Sequence, residues 1–137
     1  MTNRIWCCAG AVLISAGVLG SWAAAQERPR ADYNSGSYLY RAYCASCHGQ
    51  NGRGDGPVAD LEPRQPADLT ALASQHGGVF PKSDVREVLE GKKAVAAHQP
   101  PAMPNWRVVL LRTEGGDERA VNARLDALVA FVESLQK

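Results

Sequence analysis

Cys44-Ala45-Ser46-Cys47-His48 is the stretch on which the reading of this chain turns. The two thiols are three residues apart and the imidazole is four from the first, so on a helix all three lie along one edge. Thiols so placed can add across the two vinyl groups of a haem as thioethers, while the adjacent imidazole reaches the iron. C-x-x-C-H is the sequence signature of that covalent attachment. Three other readings stand beside it. A thioredoxin-type redox pair needs a βαβ setting, of which the sequence has no sign. A zinc site built from Cys44, Cys47, His76 and His98 lacks the usual paired spacing. A disulfide across two intervening residues is strained and leaves the rest of the chain without a centre.

Working outward, Asn34 or Ser35 can cap a helix from about Gly36 to Ser46. Gln50 to Pro57 (QNGRGDGP) is a loop with positions suited to positive φ. Pro66-Ala67-Asp68-Leu69 opens a second short helix that ends near Gly77-Gly78. Ser83 caps a third, Asp84 to Glu90, stopped by Gly91. Pro100, Pro101 and Pro104 rule out a regular helix through the middle of residues 92–105. Trp106 to Leu111 fits either helix or strand, and Arg112 to Asp117 is a loop. The last segment is the most regular. Val121, Leu125, Leu128, Val129, Val132 and Leu135 follow one helix face, and Arg119, Arg124, Asp126 and Glu133 take the other. The expectation is a small all-α domain of three to five helices with long loops. A core so thin needs a staple, and a large apolar group bound at the centre would supply one.

The chain has 137 residues, 45% hydrophobic and 21% charged, which allows one domain and argues against disorder. Fifteen basic and fourteen acidic side chains give +1, without the basic stripe of a nucleic-acid binder. Met1 to Arg4 carries one positive charge, Ile5 to Gly20 carries none, and Ala23 and Ala25 stand as an A-x-A cleavage site before Gln26. Residues 1–25 therefore read as a cleaved secretory signal, 26–33 as a polar leader and 34–137 as the domain. An uncleaved membrane anchor is the rival reading of the first segment, weakened by Gly10, Ser15, Gly17 and Gly20. Cys7 and Cys8 fall within it, and Arg4-Ile5-Trp6 before them is too early and too bulky for a lipoprotein signal. The mature protein would be electrically balanced, exported to the periplasm, monomeric and without a membrane span. Its two remaining cysteines, in an oxidising compartment, would form a disulfide or be chemically occupied.

A haem iron held by His48 needs a sixth ligand or leaves that position open. Met103 is the single methionine outside the signal, set among prolines in Gln99-Pro100-Pro101-Ala102-Met103-Pro104. Rigid flanking backbone would fix a thioether that its own flexible side chain does not. His76 and His98 are rival ligands, and a plain core-filling role for Met103 is the blander alternative.

On these residues the sequence resembles the monohaem class I cytochromes c. That family places a glycine eight residues and an aromatic four residues before the first cysteine, here Gly36 and Tyr40. Its last helix offers a leucine and an aromatic three apart, here Leu128 and Phe131. The runs His48-Gly49-x-x-Gly52-x-Gly54-x-Gly56-Pro57, Pro66-Ala67-Asp68-Leu69-Thr70 and Met103-Pro104-x-Trp106 resemble a bacterial subgroup of soluble carriers and dehydrogenase-attached haem subunits. The resemblance implies one covalent haem c on Cys44 and Cys47, with His48 and Met103 as axial ligands. It also implies a close crossing at Gly36, with Tyr40 packed on Phe131. A proline carbonyl would accept from His48, with Pro57 best placed and Pro63 or Pro66 next. Trp106 or Arg107 would bond a haem propionate, unless Trp106 simply fills the core. Lys92 and Lys93 are either a steering patch for an acidic partner or a solvated pair. Val108 to Asp117 matches no pattern of the family.

The expected function is one-electron carriage between a dehydrogenase or respiratory donor and an oxidase or other acceptor, with no substrate chemistry of its own. Two alternatives are a haem subunit fixed to a dehydrogenase and a gas-sensing or weakly peroxidatic protein with a displaceable Met103.

Overall fold

Ser35 begins the first helix by accepting the Tyr38 amide on its hydroxyl, and Asp117 begins the last by accepting those of Arg119 and Ala120. The computed structural model describes residues 32–93 and 103–137. Within them the order is α1 (Gly36–Tyr43), α2 (Ala45–His48), 3-10 turns at Ala59–Leu61 and Leu69–Ala71, α3 (Leu72–Gln75), α4 (Lys82–Leu89), α5 (Trp106–Thr113) and α6 (Glu118–Ser134). The described residues hold no strand, and none of their helices is long and apolar enough to cross a membrane. The signal and leader assigned to residues 1–25 and 26–31 lie outside them.

The all-α expectation holds, with six helices rather than three to five because two of them are single turns. The first expected helix divides at Cys44, whose backbone (φ −115°, ψ −33°) departs from ideal α geometry. The second does not open at Pro66. Asp68 caps a 3-10 turn through the Thr70 amide at 2.8 Å, and a four-residue α3 follows. Ser83 lies inside α4, which begins at Lys82 after Pro81. The ambiguous run from Trp106 is helical, because Asn105 accepts the Val108 amide at 3.1 Å and starts it as one. Most of the stretch that fits no family pattern is thus α5.

The core is built where α1 crosses α6. A Cβ on Gly36 would sit 2.0 Å from the Ala127 carbonyl oxygen and 2.8 Å from the Phe131 Cβ, so only glycine allows this approach. One turn on, the Tyr40 and Phe131 rings pack with centroids 5.0 Å apart. Leu39, Leu110, Val121 and Leu125 are fully buried around this crossing, each contributing roughly 1.5–3 kcal/mol. Gln136 ties the chain's end to the opposite side, donating to the Leu69 carbonyl at 2.7 Å and accepting the Ala73 amide at 2.8 Å.

Polar side chains join the outer helices. Glu90, just past α4, has a side chain only 7% exposed, which pairs with Arg86 at 2.8 Å and Lys92 at 2.5 Å. Arg107 of α5 approaches the same carboxylate at 3.7 Å. Hydrogen bonds from Lys92 and then Arg86 hold its carboxyl below the usual range. A depressed folded-state value adds stability that is present above the unfolded pKa and lost as pH falls through the folded one.

Two measurements follow from this architecture. Gly36→Ala is expected to cost on the order of 2 kcal/mol or more in denaturant unfolding, since backbone must move to admit the methyl. Glu90→Gln is expected to flatten the loss of stability below about pH 5, because the group whose protonation drives that loss is gone.

Candidate functional site

Cys44, Cys47 and His48 are presented by α2, a single helical turn with its own backbone problem. Its C-terminal carbonyls have no partner within the helix. The glycine-rich loop supplies them: the Gly54 amide bonds to the His48 carbonyl at 2.9 Å, Gly56 to Cys47 at 3.1 Å and Val58 to Ser46 at 3.1 Å. Gly52 and Gly54 adopt positive φ, as the loop's composition predicts. Four residues too short to be stable alone are thereby fixed in place.

The loop also orients the imidazole. The Leu69 amide bonds to the Gly52 carbonyl at 2.6 Å and the Gln65 amide side chain to the Gly54 carbonyl at 2.5 Å, stitching an extended strap of residues 65–68 alongside it. The Ala67 carbonyl in that strap accepts from His48 Nδ1 at 3.0 Å. The proline carbonyl expected at Pro57 does not serve: Pro57 lies exposed in the turn that leads away from α2. Pro63 and Pro66 do not serve either, and the acceptor is the residue after Pro66. With the proton on Nδ1, Nε2 carries the lone pair that a metal requires. Burial lowers the His48 pKa, opposed by the Ala67 bond, and so favours the neutral ring.

Both cysteines are free thiols. Burial, then the neighbouring Cys47, pushes the Cys44 thiol up to about 12. Cys47 is half-buried, its Sγ 3.7 Å from a Glu62 carboxylate oxygen.

Two adjoining cavities share Cys44, His48 and Met103 as walls. The larger, about 270 Å³, is apolar and continues along Leu69, Leu72, Val85, Leu89, Leu128 and Val132. The smaller, about 50 Å³, is bounded by Tyr43, Glu62, Arg64, Pro104 and Trp106. Residues drawn from α1, α2, the strap, α4 and α6 thus surround one apolar slot with two thiols and an imidazole at its edge.

The donor set fits a covalently held haem. Trp106 is buried, stacks obliquely on Tyr43 with centroids 5.2 Å apart, and lines the smaller cavity. Its Nε1–H is buried without a hydrogen-bond partner among the described residues. An indole donor so placed is costly unless an acceptor enters the site, and a carboxylate-bearing cofactor brings one.

Other expectations meet different geometry. Arg107 turns away from the slot to Glu90, to Asn122 at 3.2 Å and to Glu118. Lys92 pairs with Glu90 and Lys93 with Asp84 at 2.5 Å, so neither is an uncompensated steering charge. His76 is exposed, borders the larger cavity and bonds through Nδ1 to the Leu72 carbonyl at 2.7 Å. His98 lies outside the described residues. Among those residues no three His, Cys, Asp or Glu side chains gather as a zinc site would need.

No curated protein and no solved structure matches the chain. A family model does, over residues 31–132: cytochrome c oxidase, cbb3-type, subunit III. That span contains α1 with its crossing glycine, the C-x-x-C-H turn, the strap and most of α6. The chain therefore belongs to this family of c-type cytochromes, all-α electron-transfer domains that carry one covalently attached haem c.

Proposed function

We propose that the protein is a periplasmic one-electron carrier whose haem is attached through Cys44 and Cys47 and ligated by His48 and Met103. The observation that carries this reading is that His48 and Met103, far apart in sequence, wall the same apolar slot as both cysteines do in part: Cys44 in each cavity and Cys47 in the smaller. When bound, the haem supplies the ferric–ferrous couple, at a potential raised by thioether ligation.

The chain's own residues perform the rest. The Ala67 carbonyl fixes the ring of His48 and keeps its proton on Nδ1. Leu69, Leu72, Leu128 and Val132 line the slot with apolar surface, and a haem iron that His48 and Met103 would both hold there suits electron transfer rather than substrate chemistry. Trp106 Nε1–H is placed to donate to a propionate. Cys47, half-buried beside Glu62, would lie at the side where an electron enters or leaves. Export to the periplasm is supported by the signal-like pattern of residues 1–25. The donors and acceptors are a dehydrogenase or respiratory donor and an oxidase or other terminal acceptor, met as a monomer.

A second reading is favoured by one finding. The matching family is described as a subunit of an oxidase, so the domain would serve as a fixed haem subunit of a larger redox enzyme rather than as a free carrier. Co-purification at constant stoichiometry with such an enzyme distinguishes this reading from a freely diffusing monomer.

Replacing Cys44 and Cys47 by Ala is expected to abolish haem retained through denaturing electrophoresis, read by haem stain; retention would refute thioether attachment there. The oxidised holoprotein is expected to show a weak sulfur-to-iron band in the near infrared. Met103→Ala should keep covalent haem, lose that band and fall in reduction potential, and an unchanged potential would exclude Met103 as ligand.

A further inference from the structure

The residue just past the end of α4 and the residue that caps α5, two places after Met103, come together in the fold. Gly91, at φ +69°, lies so close to Asn105 that an added Cβ would stand 2.3 Å from its Nδ2 and 2.8 Å from its Cγ. Asn105 is in turn the cap of α5. The end of α4 and the start of α5 therefore meet, and this meeting point is the neck from which Met103 is reached.

An ionic network centred on the buried Glu90 carboxylate spans that neck from both sides. Glu90, on the outgoing side, gathers Arg86 at 2.8 Å, Lys92 at 2.5 Å and Arg107 at 3.7 Å. Arg107, on the returning side, also bonds to Asn122 at 3.2 Å and pairs with Glu118. Arg86 bonds to the same Asn122 oxygen at 2.8 Å and pairs with Asp126. Both strands of the neck are thus anchored to one stretch of α6. Arg107 is the cation that the buried Glu90 carboxylate takes from the returning side, so opening the neck would strip that contact from a desolvated charge.

Met103 lies two residues before Asn105, joined to it through Pro104, whose ring fixes φ. Position and direction of its backbone are therefore inherited from the neck. Closing the ends of a loop removes most of the conformations by which a residue near its base could withdraw. We propose that the Glu90–Arg107 clamp is the positioning device for the Met103 sulfur, and that its strength sets how often the sixth position of the iron opens. This inference rests on the His48/Met103 reading, and the two fail differently.

The test uses the full-length ferric holoprotein and imidazole, which competes with a thioether for the iron. Wild type, Glu90→Gln, Arg107→Gln and the double variant are titrated, following loss of the near-infrared sulfur–iron band, and each is unfolded in denaturant. Arg124→Gln is the control. It breaks a half-buried pair with Glu114, 2.8 Å long, that joins the far end of α5 to α6 away from the neck. The clamp variants are expected to bind imidazole about tenfold more tightly than wild type. The double variant should gain less than the two effects combined, and Arg107→Lys should restore part of the wild-type value. Arg124→Gln should lose stability without that gain. If the clamp variants change imidazole affinity no more than the control does at equal loss of stability, the proposal is overturned. A wild-type protein without the band would overturn the ligand reading, and the clamp with it. Should Glu90→Gln fail to mature, Arg107→Gln and its Arg107→Lys rescue decide the matter alone.

Discussion

The approach of α1 to α6 at Gly36 governs what the rest of the molecule can be. With the Ala127 carbonyl where a side chain would otherwise stand, the two helices come close enough for Tyr40 to reach Phe131 and for its hydroxyl to bond the Gly49 carbonyl at 2.8 Å. That bond ties the crossing to the start of the glycine loop. From there the order is mechanical: the loop's amides hold α2, the strap beside the loop holds His48, and α6 supplies Leu128 and Val132 to the slot. A wider crossing would separate the attachment motif from the wall it faces.

The same arrangement explains why so short a chain tolerates so much irregular backbone. Its fully buried side chains are few, and Cys44, His48 and Trp106 are buried groups whose polar atoms suit a bound cofactor better than an empty interior. Burial raises the Cys44 and Tyr40 pKa values and lowers that of His48, all toward neutral forms. The interior is built for a large apolar guest with a metal at its centre and carboxylates at its margin.

Much of this was legible in the residues themselves. Cys44, Cys47 and His48 announce their chemistry by spacing alone, the face from Val121 to Leu135 is a plain helical period, and Gly36, Tyr40, Leu128 and Phe131 identify the crossing. What escaped was carried by backbone or by distance. The Ala67 carbonyl has no side chain to mark it, and the proline carbonyl that the family resemblance implies points to Pro57, Pro63 or Pro66 instead. Arg107 reads as a propionate donor and Lys92 as a steering or solvated charge until the fold brings both to Glu90. Trp106 to Leu111 is too short for its period to choose helix over strand, and a single cap at Asn105 made the choice.

Gln136 adds a point about order in time. Its side chain bonds Leu69 and Ala73, more than sixty residues earlier, and thereby holds the turn and helix that carry Leu69 and Leu72 into one wall of the slot. Contacts so remote form only after the cost of closing the intervening length has been met. The wall of the slot at Leu69 and Leu72 is in this sense fastened from a distance, by a side chain just past α6.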